Sequence, residues 1–296
     1  MSKNLLLLVN PFSGKGNNIA VSAVIINFLV KENWQYFSLT SQYKNHFVSY
    51  LENAELCPFT HIGIVGGDGT MHEVMNGLMA RNEKARLPII LFPYGTGNSF
   101  NHDLGCFSVE TALQRLMKGN TQKIDIMHIR AEQEHFYAFN IVGFGIVNDI
   151  NVLAESLRWL GSIRYTMASL IYIFKNRHYF ACASIDDKVI DRNFCFIIVC
   201  NTMYTGKAMK MAPKALLSDG LLDVLVVNRL KVWQLLSLFP KIFSGGHVRS
   251  PLVEYIHAKS VKIYPKIKQI GNFDGEVKGF SPFEIDVLPL ALEVVC

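Results

Sequence analysis

H-I-G-I-V-G-G-D-G-T-M-H-E-V-M-N-G, residues 61–77, is the stretch whose reading decides the fold. A short apolar run, Ile62, Gly63, Ile64 and Val65, leads into Gly66, Gly67, Asp68, Gly69 and Thr70, and a helical pattern follows at once. Glycine lets a backbone turn tightly and approach a ligand, because no Cβ intervenes. A helix that begins at such a junction turns its first N–H groups and the positive end of its dipole toward that ligand, an arrangement suited to phosphate. Thr70 and Glu73 have capping-box spacing, which predicts a helix start at Thr70. Met71, Val74, Met75 and Leu78 then supply an apolar face at helical spacing. Asp68 is the odd member, since a carboxylate repels phosphate unless a metal ion intervenes or the group handles a proton. The stretch therefore reads as a nucleotide-phosphate loop with a chemical residue in it; the alternative is a tight βα turn whose Asp caps or is solvated.

Two more junctions share the layout. Leu5, Leu6, Leu7, Leu8 and Val9 form a continuous apolar run, as in a strand buried on both faces, and stop at Asn10-Pro11-Phe12-Ser13-Gly14-Lys15-Gly16-Asn17. A helical pattern runs over about residues 19–30. The loop is not a Walker A element, since no Ser or Thr follows Lys15, and Gly14 and Gly16 lack the third glycine of a dinucleotide fingerprint. Lys15 and the Ser13 hydroxyl could still hold phosphate oxygens. After a strand pattern at 34–40 and a helix at about 47–53, the apolar run 87–92 ends in Pro93-Tyr94-Gly95-Thr96-Gly97-Asn98-Ser99-Phe100. Repeated strand, loop and helix predict a parallel sheet with right-handed crossovers, in which ligands bind at the carboxyl ends of the strands. All three glycine-bearing loops lie there and can converge.

Near residue 120 the pattern changes to alternation: 123–129, 135–142 after a polar turn at 132–134, 179–185, 194–200, 221–227, 261–264 and 283–288. This predicts a Rossmann-like α/β domain over 1–122, rejoined by 289–296, and a β-rich antiparallel sandwich domain over 123–288 with a helical insertion at 150–175, the two sharing a cleft.

Composition sets the outer bounds. The 296 residues are 50% hydrophobic and 18% charged, with net charge +5; mean hydropathy is +0.22 and pI about 8.8. No apolar run reaches the about 18 residues of a membrane span. The apolar excess belongs in the core or on a surface that meets something greasy, and the mild basicity suits anionic ligands or an anionic membrane. Two segments are candidates for lipid contact: 157–174, where Arg158, Arg164 and Lys175 lie among Trp159, Tyr165, Leu170 and Tyr172, and 232–243, flanked by Arg229, Lys231, Lys241 and Arg249. The alternative for each is a helix packed on the sheet. Six cysteines with no C-x-x-C pair predict small buried hydrophobes in a reducing compartment. The start of the chain reads as a first strand, so the default is cytoplasmic.

The G-G-D-G-T loop resembles the signature of the diacylglycerol kinase catalytic-domain family, which includes sphingosine and ceramide kinases. Asn10-Pro11-Phe12-Ser13-Gly14 resembles its N-P-x-S-G loop, and Pro93-Tyr94-Gly95-Thr96-Gly97-Asn98 its P-x-G-T-x-N loop. Met209 to Ala215 followed by Ser218-Asp219-Gly220-Leu221-Leu222-Asp223 resembles its M-x-x-A-P-x-A…D-G-x-[LF]-[DT] segment, and Asp274-Gly275-Glu276 its late D-G-E. The layout is closest to the single-chain bacterial lipid kinases. The resemblance implies an α/β domain of NAD kinase/lipid kinase type and phosphorylation of a lipid hydroxyl (diacylglycerol, sphingoid base or related lipid) using ATP and Mg²⁺. It implies ATP contacts at Asn10, Pro11, Phe12, Ser13, Gly14, Thr40, Gly66, Gly67, Asp68, Gly69, Thr70, Met71, His72 and Thr96. Asp68 would organise Mg²⁺, Glu276 would be the general base, and Asp219 with the carbonyls of Leu216 and Leu221 would hold a structural Mg²⁺. It further implies a lipid substrate met at a membrane surface by a cytoplasmic, peripheral protein, no nucleic-acid partner, and a homodimer as in some members. One position departs: Ser99 follows Asn98 where the family often has Asp, with Asp103 close by. The alternatives are an NAD kinase-like nucleotide kinase, which shares the G-G-D-G-T loop, and a non-catalytic lipid-binding module.

Overall fold

The computed structural model describes residues 3–14, 18–83, 86–95, 98–206 and 209–296. The chain divides into two compact units: Met1–Ile124 with Gly206–Ala208 and Leu290–Cys296, and Asp125–Thr205 with Met209–Pro289.

The first unit runs β1 (Asn4–Val9), α1 (Asn18–Lys31), β2 (Gln35–Thr40), α2 (His46–Asn53), β3 (His61–Gly66), α3 (Asp68–Met79), β4 (Ile89–Pro93), α4 (Ser99–Leu104) and α5 (Val109–Lys118). The strands pair in parallel in the order β4, β3, β1, β2. The apolar runs form the central strands because both of their faces are covered: Leu5 to Leu8 are fully buried, and Leu5, Leu7 and Val9 join Ile25, Leu29, Val65 and Phe92 in one core cluster. β2 is the edge strand, and Tyr36 and Phe37 are exposed on it. At the other end of the sheet, Val294 pairs in parallel with Ile89. Near its C-terminus the chain also receives the Arg86 guanidinium, which donates to the Ala291 carbonyl.

In the second unit follow β5 (Thr121–Ala131), β6 (Glu134–Ala138), β7 (Ile141–Gly145), α6 (Ile146–Ser156), a short 3₁₀ segment (Arg158–Ile163), α7 (Arg164–Lys175), β8 (Tyr179–Ile185), β9 (Lys188–Cys200), β10 (Leu222–Asn228), α8 (Val232–Leu238), α9 (Lys241–Ser244), β11 (Glu254–Ala258), β12 (Ser260–Pro265), β13 (Ile270–Phe273), β14 (Glu276–Phe280) and β15 (Phe283–Val295). β5 and β15 each begin in one unit and end in the other. Pairing within the second unit is antiparallel. β9 is its spine: residues 188–194 pair with β8, and 196–200 pair with β7 on one side and β10 on the other. Strand periodicity sends Leu222, Val224 and Val226 into one core with Ile197 and Val199, and Leu225 and Val227 into another with Ile198 and Cys200, which Leu235 and Leu238 of α8 also join. The segment 232–243 thus packs on the sheet, although Trp233 and Phe243 stay exposed.

Three local expectations are corrected. Helix α3 starts at Asp68, with extended Gly67 as its N-cap and no side-chain cap, because the Thr70 hydroxyl is engaged elsewhere. The strand expected over 135–142 is two strands, since the N–H groups of Phe139, Asn140 and Ile141 turn onto the Asp274 carboxylate. The helical insertion begins at Ile146. All six cysteines are free thiols; Cys106, Cys195 and Cys200 are buried and Cys57 is exposed.

Four histidines, His61, His128, His178 and His247, have imidazoles held below their ordinary pKa, chiefly by burial. At His128 the neighbouring His135 and Arg130 push the same way, against Asp286. The unfolded chain therefore takes up protons first. The stability these neutral rings contribute is intact above about pH 6.5 and is lost as pH falls through and below that value. Urea midpoints are expected to drop on acidification over this window, and His128→Gln should flatten part of the slope; a variant as acid-sensitive as the parent contradicts this.

Candidate active site

The three glycine-bearing loops of the first unit meet at the carboxyl end of its sheet. Each pair of loops is tied by a specific contact. The first and second join where the Asn10 amide donates to the Thr70 hydroxyl at 3.0 Å, and Asn10 N–H donates to the Val65 carbonyl. The first and third join where Gly14, at φ +66°, lies against Tyr94; a Cβ there would stand 2.7 Å from the Tyr94 carbonyl oxygen. The second and third join twice. A Cβ on Gly95 would fall 2.4 Å from the Gly67 Cα, so the two backbones approach as only glycines allow. The Asp68 carboxylate also accepts the Ser99 N–H at 2.8 Å and the Phe100 N–H at 3.3 Å, the first turn of α4.

Around this frame the loops brace themselves. Asn10 Oδ1 accepts the Phe12 N–H at 2.9 Å, Asn98 Oδ1 accepts the Gly95 N–H at 2.9 Å, and the buried Asn18 amide donates to the Asn10 carbonyl and the Ser13 hydroxyl. Gly66 is buried against the Thr70 side chain, and Gly69 is exposed at the start of α3. The Phe12 ring is 75% exposed. Thr40 sits opposite Val9 at the carboxyl end of β2. Met71 and His72 are buried in α3, and the Met71 N–H is already spent on the Gly67 carbonyl. The expectations placed on Lys15, Thr96 and Gly97 lie outside the described residues. At the departing position, Ser99 contributes its N–H to Asp68 while its hydroxyl is buried without a partner among the described residues.

The remaining predicted residues belong to the second unit. Asp274 and Gly275 form a two-residue hairpin turn with both φ values positive, +55° and +92°, and Glu276 opens β14 opposite Phe273. The Asp274 carboxylate takes the N–H groups of Phe139, Asn140 and Ile141 at 3.0, 2.9 and 3.0 Å, which fixes the turn that delivers half-buried Glu276. Asp219 lies on an exposed turn and accepts the Leu221 N–H at 3.1 Å. Asp125, fully buried, holds that turn: it accepts the Gly220 N–H at 2.7 Å, and its own N–H donates to the Leu217 carbonyl at 2.7 Å. Asp223 is buried beside them; burial raises its carboxyl pKa against the Tyr255 hydroxyl that donates to it and the His257 ring at 3.5 Å.

Sequence reading missed Asp125, which looks like one polar position of an alternating strand, and the clamping role of Asp274. A fully buried acid in an apolar strand is the signal that could have found Asp125, because such a group needs donors.

Glycines against which nothing larger fits, with helix N-termini behind them, are suited to phosphate oxygens. The chain belongs to the diacylglycerol kinase family of lipid kinases, diacylglycerol/sphingosine kinase-like: the model of the diacylglycerol kinase catalytic domain matches residues 4–129 and that of the YegS C-terminal NAD kinase beta sandwich-like domain matches residues 140–296. Sphingosine kinase 1 of Arabidopsis thaliana is 27% identical over 96% of this chain and 70% of its own length. The diacylglycerol kinase of Bacillus subtilis is 27% identical over 82% of this chain and 80% of its own length. Among solved structures, a diacylglycerol kinase from Bacillus anthracis superposes with TM-score 0.74 at 19% identity, covering 99% of this chain and 96% of that one. An NAD kinase from Archaeoglobus fulgidus in complex with ATP superposes with TM-score 0.54 at 13% identity, covering 99% and 93%. These likenesses give the fold: an N-terminal α/β domain with a parallel sheet and a C-terminal antiparallel β-sandwich domain.

Because Gly67 and Gly95 touch backbone to backbone, Gly95→Ala is expected to push the second and third loops apart and cost about 1–3 kcal/mol. A drop of several degrees in Tm checks this; an unchanged Tm refutes the packing.

Proposed function

We propose that the chain transfers the γ-phosphate of Mg-ATP to the hydroxyl of a lipid. The observation that carries the reading is the mutual locking of the three loops around Asp68 at one end of one sheet, in a member of the lipid kinase family.

The residues fit the groups this requires. The close-packed glycines bring the three loops together at the start of α3, whose first N–H groups, ahead of those of Thr70 and Met71 that bond the Gly67 carbonyl, suit phosphate oxygens. Asn10 and Thr70 fix the angle between the first two loops, and Thr40 flanks them on β2. The Asp68 carboxylate, which the Ser99 and Phe100 N–H groups hold in place, is a hard oxygen donor of the kind that suits a hard cation. Mg-ATP supplies the phosphoryl group and the charge neutralisation that phosphoryl transfer depends on. Glu276 serves as the base that accepts the proton of the lipid hydroxyl, and Asp274 keeps it in register. Asp219 and the carbonyls of Leu216 and Leu221 offer the oxygen-only donor set of a structural Mg²⁺, steadied by Asp125.

The test is a kinase assay on a panel of diacylglycerols, sphingoid bases and ceramide in mixed micelles, with NAD as a further acceptor and products identified by mass. A phosphorylated lipid is expected; phosphate on NAD alone contradicts the reading. Asp68→Asn should lower activity by at least about 10²-fold and Glu276→Gln by about 10²–10⁴-fold, both proteins remaining folded by circular dichroism. Full activity in either variant removes that residue from the mechanism.

A further inference from the structure

The second unit carries an apolar surface that its cores do not use. Ile163, the N-cap of α7, and Met167, Ile171 and Phe174 within it recur at helical spacing and are all exposed, while the helix buries only Ala168 and Ile173. Trp159, in the 3₁₀ segment just before the helix, is 79% exposed, and Phe174 is 66% exposed. A second element, remote in sequence, lies by the end of this helix. The Lys266 N–H donates to the Phe180 carbonyl at 3.1 Å, which pins the loop after β12 to the start of β8, the strand that follows α7. On that loop Ile267 is 76% exposed between Lys266 and Lys268, and Phe180, at the start of β8, is exposed too.

The charges around these side chains have one sign to spare. Asp149 is paired with Arg177, Glu155 with Arg164, and Glu132 with Lys268. Lys175 and Lys266 remain as surplus cations among the described residues. The Lys175 ammonium lies over the Tyr172 ring at 4.6 Å and the Arg164 guanidinium over the Tyr165 ring at 4.9 Å. Exposed Trp, Phe and Ile beside a fringe of Tyr, Lys and Arg is the chemistry of a headgroup boundary: the apolar groups enter the acyl region and the cations meet lipid phosphates. The apolar groups stand on two separate prongs, a helix face and a loop tip, which a fluid bilayer accommodates without a matching shape. No helix among the described residues is long and apolar enough to cross a membrane, so the contact is superficial.

We propose that the chain docks on an anionic lipid bilayer through the exposed face of α7 with Trp159 and through the Ile267 loop. The proposal deepens the lipid-kinase reading by naming where the acceptor is met, and it rests on this surface rather than on turnover.

The experiment is co-sedimentation with extruded vesicles of phosphatidylcholine, with and without phosphatidylglycerol, in the absence of nucleotide. The parent protein is expected to bind phosphatidylglycerol vesicles at least about tenfold tighter than phosphatidylcholine alone, and more weakly at high salt. Trp159→Ser/Phe174→Ser/Ile267→Ser should lose about tenfold or more of that binding with an unchanged melting temperature. Lys175→Glu/Lys266→Glu should abolish the preference for anionic lipid. Kinase activity on a short-chain, water-dispersed acceptor should be the same in all three proteins, which separates failure of docking from failure of the proposed reaction. No vesicle binding by the parent, or equal binding by the triple variant, overturns the proposal. A dimer that the triple variant converts to monomer in sedimentation velocity would assign the face to a second copy and overturn it equally.

Discussion

A single carboxylate ties the candidate site together. Asp68 lies in the first turn of α3, yet its oxygens accept the N–H groups of Ser99 and Phe100 in the first turn of α4. A negative charge beside two helix N-termini is stabilised by both dipoles. The Gly67 and Gly95 backbones can then close to a distance that no side chain would permit, and the Asn10 amide completes the frame through Thr70. A glycine loop suited to phosphate thus contains an acid because the acid is how the loops are held. The same charge is then in position to attract a cation, so its structural and proposed chemical roles share one group.

The second unit uses the same device. Asp274 gathers three N–H groups from 139–141, Asp125 holds the turn that bears Asp219, and Asp186 accepts the N–H groups of Lys259 and Ser260. Each joins a carboxylate to backbone donors far away in sequence. Hydrogen bonds to a charged acceptor are stronger than neutral ones, and a backbone donor carries no rotamer entropy to lose. Turns held this way deliver Glu276 and Asp219 from ordered positions. In the lipid-kinase reading, that order lets a base of modest strength contribute.

What the sequence made legible follows from the range of each interaction. Leu5 to Val9 and Ile62 to Val65 announce buried parallel strands, and the alternation of 221–227 announces an antiparallel one, because burial writes its period into neighbouring residues. The three loops were visible by their glycines. The clamps were not, since Asp274 is written as an ordinary Asp-Gly turn and its donors lie more than a hundred positions upstream. For the same reason 135–142 read as one strand. The capping-box spacing of Thr70 and Glu73 points past the true start of α3 at Asp68, because the Thr70 hydroxyl is spent on Asn10. Whether an apolar helix packs or stays exposed is open from sequence in both candidate segments: α8 joins a core through Leu235 and Leu238, and α7 sends Ile173 into the same core while leaving Met167, Ile171 and Phe174 exposed.

The central claim is that the three loops act as one nucleotide-phosphate site locked by Asp68. Amide hydrogen exchange with and without a non-hydrolysable Mg-ATP analogue tests it most directly. Peptides covering the ends of β1, β3 and β4 with the starts of α3 and α4 should gain protection together, at one analogue concentration, and Asp68→Asn should abolish the gain in all of them. Protection confined to one loop, or an equal gain in the variant, would contradict the account.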